Sequence, residues 1–432
     1  MFVMEELRYP FTNILEFIDY SNSFSALPLL LGLVFFFIGI AYAFRLGKYS
    51  LVCLYFAFSF YNNPAYQIFG LSLFEICGIS SILFSRSTKL TKPSYLDLFP
   101  IVLCLILLYT LFVDLAGFSP VEHQFGNRVA VFGKAIVFYL NAKALLSLNE
   151  SYLTTFYKLI FIAMFGASVV YLSQIILWSA GVNVYGTYLS AGLTAFPSFG
   201  SVSIERGHFA KFYNPLIGPL IFLLYRKIVS KFEFSFMIAP MLLNLSATGY
   251  AYILLFATIY LVKICKNWFF YFAILVVTVF ALYVYFPLFA SLADKIIYIG
   301  FLGEECDSCG RSIDRLLEYL TAYPMGIGYG GSSLRNVDGL SEINLGFYIF
   351  ISQLSIFGLF LLLPLVWIYY AKLNTLIRVV IKSDILALYV SAAVMPILFM
   401  AESLWFVPSI WLGYLLLVSE FDQILRQDCY VK

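Results

Sequence analysis

Apolar runs of about 17 to 25 residues, separated by short charged connections, recur from residue 25 to residue 418. A helix needs about that length to cross a hydrocarbon core roughly 30 Å thick. With 62% hydrophobic and 12% charged residues, the chain has too little polar surface to coat a soluble globule. An outer-membrane barrel would read as alternating strands of about 10 residues. The fold class is therefore an all-α polytopic membrane protein, with residues 1–432 forming one integral membrane domain.

The expected spans are 25–44, 50–62, 66–84, 98–116, 128–148, 158–180, 213–225, 233–247, 250–264, 268–287, 345–368, 384–401 and 404–418. Residues 50–62 and 213–225 are short, so the expected number of transmembrane helices is twelve or thirteen. The opening "MFVMEELRYPFTNILEFIDYSNS" is acidic and amphipathic and has no basic n-region, so no cleavable signal is expected. Most Lys and Arg residues fall on one set of connections: Arg45 and Lys48, Arg86 to Lys92, Lys143 and Lys158, Arg226 to Lys231, Lys263 and Lys266, Lys372 to Lys382, and the C-terminal end. Positive loops stay in the cytoplasm. Three connections then face outward: 117–127, a first long loop at 181–212 and a second at 288–344. The net charge of +2 says nothing about partners. No basic run is interleaved with aromatics, so membrane lipids are expected as partners and nucleic acid is not.

The two long outer loops hold Arg206, Lys211, Lys295, Arg311, Arg315 and Arg335, cations that topology does not ask for there. In the first, "SIERGHFAKFYNPL" also carries Glu205 and His208, a candidate base or simply a solvated histidine. In the second, Ile313, Leu316, Leu317 and Leu320 recur at i, i+3, i+4 and i+7, the spacing of an amphipathic helix. Arg311 and Arg315 share a face near its start, where backbone N–H groups also favour an anion. Two guanidinium forks there suit a pyrophosphate; an exposed helix pairing them with Asp314 and Glu318 explains the same spacing. "YPMGIGYGG", 323–331, ends the helix. It is a tight turn or a loop that lets substrate approach closely, with Tyr323 and Gly328 as candidate contacts. It lacks the Gly-Lys-Ser/Thr of a phosphate loop.

Cys306 and Cys309 form one C-x-x-C pair, too few ligands for a zinc site, so no metal is expected; a local disulfide or free thiols remain open. Glu75 and Glu402 stand out within apolar stretches, and ionisable groups in such places often mark function. Glu342 and Asn344 precede the span that starts near 345, within reach of the loop arginines. Glu122, His123, Arg128 and Lys134 make a weaker outer cluster.

The first long loop runs into "RGHFAKFYNP". The second carries Arg-x-x-x-Arg and "YPMGIGYGG" and is followed by "SEINLGFYIFISQLSIFGLFLLL". In this order and sidedness, together with the "LLNLSATGY" hairpin at 243–250, the chain resembles the O-antigen polymerase and ligase superfamily over roughly residues 160–370. The resemblance implies a GT-C-like membrane glycosyltransferase bundle in the bacterial inner membrane. It implies inverting transfer from an undecaprenyl-pyrophosphate-linked oligosaccharide to a second such molecule on the periplasmic face, with no nucleotide sugar, cofactor or essential metal. A chain-length regulator is an implied partner. Arg206, Arg311 and Arg315, aided by Lys211, match the residues expected to grip the pyrophosphate; Glu342, His208 and Glu205 are candidate bases. Ligases of the superfamily usually carry His-Asn where this chain has Ile343-Asn344, which favours polymerase over ligase. A flippase of lipid-linked sugars is the reading from another class, although transporters tend to place polar residues on broken helices at the midplane.

Overall fold

Residue 150 opens a 30-residue helix because Asn149 caps it, its side chain accepting the Tyr152 N–H at 3.0 Å. At 1.5 Å per residue this helix, α7 (Glu150–Ser179), is about 45 Å long. The structure, a computed structural model, describes residues 11–84, 98–118, 125–185, 187–188, 198–204, 206–244, 246–264, 313–329, 346–379, 383–401 and 407–430. Within these it is mostly helical. After the short α1 (Ile14–Tyr20) come α2 (Leu27–Ala43), α3 (Ser50–Ala57), α4 (Leu73–Phe84), α5 (Leu98–Leu115) and α6 (Phe125–Leu146). Beyond α7 lie α8 (Arg206–Tyr213), α9 (Ile217–Tyr225), α10 (Lys231–Leu243) and α11 (Ala247–Ile264). The remaining helices are α12 (Ile313–Ala322), α13 (Gly346–Val379), α14 (Ser383–Ala401) and α15 (Pro408–Tyr430).

Among the described residues, four stretches are long and apolar enough to cross a membrane: Phe24–Ala57, Leu98–Leu115, Arg128–Leu146 and Glu150–Ser179. The first is interrupted at Gly47, whose φ of 55° breaks the helical path between α2 and α3. α2 packs along α7, and Gly166 permits it: a Cβ there would lie 2.5 Å from the Phe35 Cβ. Close approach through small residues holds apolar helices together where solvent cannot drive them. On the other side, α14 packs against α9, α11, α13 and α15.

Two expectations change. Residues 66–84 do not form one span, because Phe69 (φ 52°) and Gly70 (φ 76°) make a two-residue turn between β1 (Gln67–Ile68) and β2 (Leu71–Ser72). Positive φ at both central positions is the type I′ hairpin, and α4 starts only after it. The first long loop is also more structured than its charges suggest. Within it β3 (Thr187–Tyr188) pairs with β4 (Ser198–Phe199). Residues 201–203 are then buried, and α8 follows.

At the end carrying the Lys- and Arg-rich connections, Glu420 of α15 is buried. It accepts the Tyr157 hydroxyl and pairs with Arg226.

Candidate active site

Apolar residues explain why α8 is fixed in place. Phe209, Ala210, Phe212 and Tyr213 are buried, so two of every four positions face the bundle and carry the helix in. Tyr213 stacks on Phe209, 4.6 Å between centroids, and its hydroxyl donates to the Met237 carbonyl at 3.0 Å. The approach to α8 is bolted down as well. Ser201 N–H donates to Gln174 of α7 at 3.0 Å and its hydroxyl to the Ala167 carbonyl at 2.7 Å. Asn63 Nδ2 donates to the Ser203 carbonyl at 3.1 Å, and the Ser203 hydroxyl to the Phe60 carbonyl at 2.8 Å. Arg206, His208 and Lys211 thus sit on a helix held by α7 and by the segment after α3.

Beside α8 opens a cleft of about 410 Å³. Ile204 and Phe212 form one wall, and the chain from Ser59 to Ser72, which holds a 3-10 turn and the hairpin, forms a second. Ala130, Gly133, Lys134 and Val137 of α6 form the third. His208 stacks on Phe212, ring planes 9° apart with centroids at 5.8 Å, so the imidazole packs against one of the rings that line the cleft. Opposite, Glu75 Oε1 meets Lys134 Nζ at 2.8 Å, and Glu75 Oε2 accepts the Ser72 N–H at 2.8 Å. The hairpin at 67–72 therefore aims this carboxylate. Charge in an apolar stretch is tolerable because the pair is matched and borders an open cleft.

The glycine-rich loop is placed by a different set of contacts. Ser355 interrupts α13 with φ 55° and ψ −161°, which releases the carbonyls of the preceding turn. Ser352 O accepts the Ile327 N–H at 3.2 Å and Gln353 O the Gly328 N–H at 2.9 Å. Tyr109 and Thr110 of α5 add bonds to Met325 O and Tyr329 N–H, at 2.6 and 3.0 Å. Arg128 of α6, paired with Asp114, donates to Ile327 O at 2.9 Å. Gly328 (φ 82°) is buried, and a Cβ on it would lie 3.0 Å from Arg128 Nη2. Burial also pushes the Tyr329 phenol above its ordinary range, so it stays neutral.

α6 joins the two assemblies. Arg128 grips the glycine-rich loop, and Lys134, six residues on, lines the cleft; the axial separation is about 9 Å. Arg128 and Lys134 were grouped in one outer cluster from sequence; the structure divides them between Asp114 and Glu75.

Of the expected site residues, His208, Lys211 and the backbone of Arg206 lie together on α8. The Tyr323 ring is tilted 47° against that of Tyr319, with centroids 6.5 Å apart, and Gly328 docks on α13 and Arg128. Arg315 lies in α12, which packs against α13. Glu205, Arg311, Glu342, Asn344, Cys306, Cys309, Glu122, His123 and Glu402 fall outside the described residues. Sequence reasoning singled out Glu75 but missed its pairing with Lys134 and missed the cleft. The alternation Gln67–Ile68 and Leu71–Ser72 around Phe69-Gly70 is the signal that could have located the hairpin. No protein-family model matches the chain, and neither a curated protein nor a solved structure matches it.

Proposed function

We propose that the chain is an O-antigen polymerase of the bacterial inner membrane, joining undecaprenyl-pyrophosphate-linked oligosaccharides on the periplasmic face. Its twelve or thirteen spans form a GT-C-like bundle in this reading, with 181–212 and 288–344 as periplasmic loops. The observation that carries it is the convergence on α6: the cleft beside the "RGHFAKFY" helix and the docked glycine-rich loop lie along one helix end. Every helix end lining the cleft is the one remote from the Lys- and Arg-rich connections.

The acceptor hydroxyl oxygen attacks the donor's anomeric carbon while the bond from that carbon to the pyrophosphate oxygen breaks. Undecaprenyl pyrophosphate leaves with the electron pair, and the hydroxyl proton passes to a base, His208, Glu205 or Glu342. A pyrophosphate is already a good leaving group, so the larger demand is charge stabilisation, met by Arg206, Arg311, Arg315 and Lys211. In this reading Tyr323, Gly328 and Asn344 are further substrate contacts, and a chain-length regulator is the protein partner. No cofactor or metal enters the step.

Arg206→Ala should leave the protein inserted and chain extension lost, with single O-units on lipid A core in a surface-glycan gel; a normal ladder of long chains excludes the assignment. Deletion of the chain separates polymerase from ligase, since a ligase deletion also abolishes single-unit attachment. A flippase draws support from the break in α13 and the unwound 59–72 segment, features common in transporters. Accumulation of undecaprenyl-linked units on the cytoplasmic leaflet in the deletion would favour it.

A further inference from the structure

Glycine is a poor helix former, because it gives up more chain freedom on folding than any other residue. Elsewhere in the bundle helix glycines have a packing reason: a Cβ on Gly166 would lie 2.5 Å from the Phe35 Cβ, and one on Gly218 2.5 Å from the Ser391 Cβ. Gly133 of α6 has no such neighbour, since a Cβ there would meet nothing within 4 Å. What lies in front of it is the cleft beside α8. Ala130, Gly133, Lys134 and Val137 line that cleft at i, i+3, i+4 and i+7, one face of α6. The two smallest of the four leave the cleft its depth.

The polar groups around this space are only partly paired. Lys134 Nζ has one partner, Glu75 Oε1, and an ammonium has three N–H donors. The Glu75 carboxylate takes one bond at each oxygen and has lone pairs to spare. Gln67 Nε2 donates to the Asn62 carbonyl at 3.0 Å, which leaves the Gln67 Oε1 acceptor over. Asn62 Oδ1 accepts the Ile204 N–H at 3.2 Å, which leaves its amide N–H groups over. Tyr55 is 3% exposed and lines the cleft, and its hydroxyl makes no hydrogen bond among the described residues. Phe74 and Phe212 add aromatic rings to the lining.

Donors and acceptors thus stand together beside aromatic rings, and the two charges cancel. An anion would meet Glu75, a cation would meet Lys134, and a hydrocarbon chain would strand the polar groups without water. A ring bearing several hydroxyls suits all of them, because each hydroxyl both donates and accepts and the ring C–H groups can face the aromatics. The volume of about 410 Å³ is at the low end of the roughly 300–1,000 Å³ usual for small-molecule sites. We infer that the cleft is a carbohydrate-binding subsite for an uncharged sugar ring, kept open by Gly133, with Glu75, Lys134, Gln67 and Asn62 reading the hydroxyls. The inference rests on the polymerase reading for the source of the ring, and it adds residues of the N-terminal third that decide which sugar is accepted.

The test uses the full chain in nanodiscs and saturation-transfer NMR. The probes are the methyl glycosides of glucose, galactose, mannose and N-acetylglucosamine, with methyl glucuronide as the acidic counterpart. At least one neutral glycoside should take up saturation, and more strongly than the glucuronide. Gly133→Leu should lose that signal yet unfold no earlier than wild type, since a good helix former replaces glycine where no neighbour stands in its way. Glu75→Gln leaves Lys134 without its counter-charge, so the preference should reverse. The neutral glycosides should weaken by about tenfold, the loss of a hydrogen bond to a charged group, and the glucuronide should become the stronger ligand. A wild type that binds none of the neutral glycosides, a Gly133→Leu protein that keeps the full signal, or a Glu75→Gln protein with unchanged preference overturns the subsite. If Arg206→Ala still abolishes chain extension in that event, the polymerase reading stands without it. If the glycosides bind as expected but Arg206→Ala leaves a normal ladder, the subsite stands and the polymerase reading falls.

Discussion

Substitution at Ser355 tests whether the break in α13 is built for the glycine-rich loop. Ser355 has a backbone conformation that costs a residue with a side chain about 1–3 kcal/mol and glycine little. Its hydroxyl donates to the Pro324 carbonyl at 2.5 Å, a bond contributing about 1 kcal/mol net. Ser355→Ala removes the bond and keeps the strain, so it should destabilise by about 1–3 kcal/mol as the Pro324 carbonyl loses its partner. Ser355→Gly loses the same bond but relieves the strain. Glycine should therefore exceed alanine by about 1–2 kcal/mol, the difference between relieved strain and the greater chain freedom of glycine. In an uninterrupted helix the order is reversed, with alanine ahead by about 1 kcal/mol. The two variants can be compared by equilibrium unfolding in one detergent, followed by tryptophan fluorescence. An alanine variant more stable than the glycine variant would refute the strained break and, with it, the account of how the loop is held.

At the opposite end, Arg226→Met should strand the buried Glu420 carboxylate with only Tyr157 and cost about 3 kcal/mol. Glu420→Gln should cost about 1 kcal/mol, since Arg226 is 42% exposed and water takes over its solvation. A double-mutant cycle in which the pair costs as much as the two singles combined would contradict this. In the cleft, Glu75→Gln should cost under about 1 kcal/mol, the value of a half-exposed ion pair. Glu75→Ala should cost about 1 kcal/mol more by also leaving the Ser72 N–H without its acceptor. Equal melting temperatures for the two variants would show that the hairpin does not depend on that carboxylate.

Hydropathy located two helices closely, 98–116 against α5 at Leu98–Leu115 and 384–401 against α14 at Ser383–Ala401, whereas α7 starts eight residues before the expected 158 and α13 runs eleven past the expected 368. The i, i+3, i+4, i+7 spacing found α12, where Leu316 is buried and Leu317 exposed. Such features arise within one helix, and one helix is what periodicity reads. The cleft depends on contacts between segments far apart in the chain. Glu75 and Lys134 meet across two helices, and Arg128 reaches a loop 199 residues away; no local pattern records either. Burial of α8 was hidden by its own charges, although Phe209, Phe212 and Tyr213 already spell an inward face.

The shortness of α3 and α4 has a consequence for the backbone that joins them. Eight and twelve residues reach only about 12 and 18 Å, well under a hydrocarbon thickness of about 30 Å. Irregular backbone at that depth needs protein or water around it, and residues 59–72 find it largely inside the fold, where Ser59, Phe60, Tyr61, Asn63, Ala65, Tyr66 and Ser72 are buried.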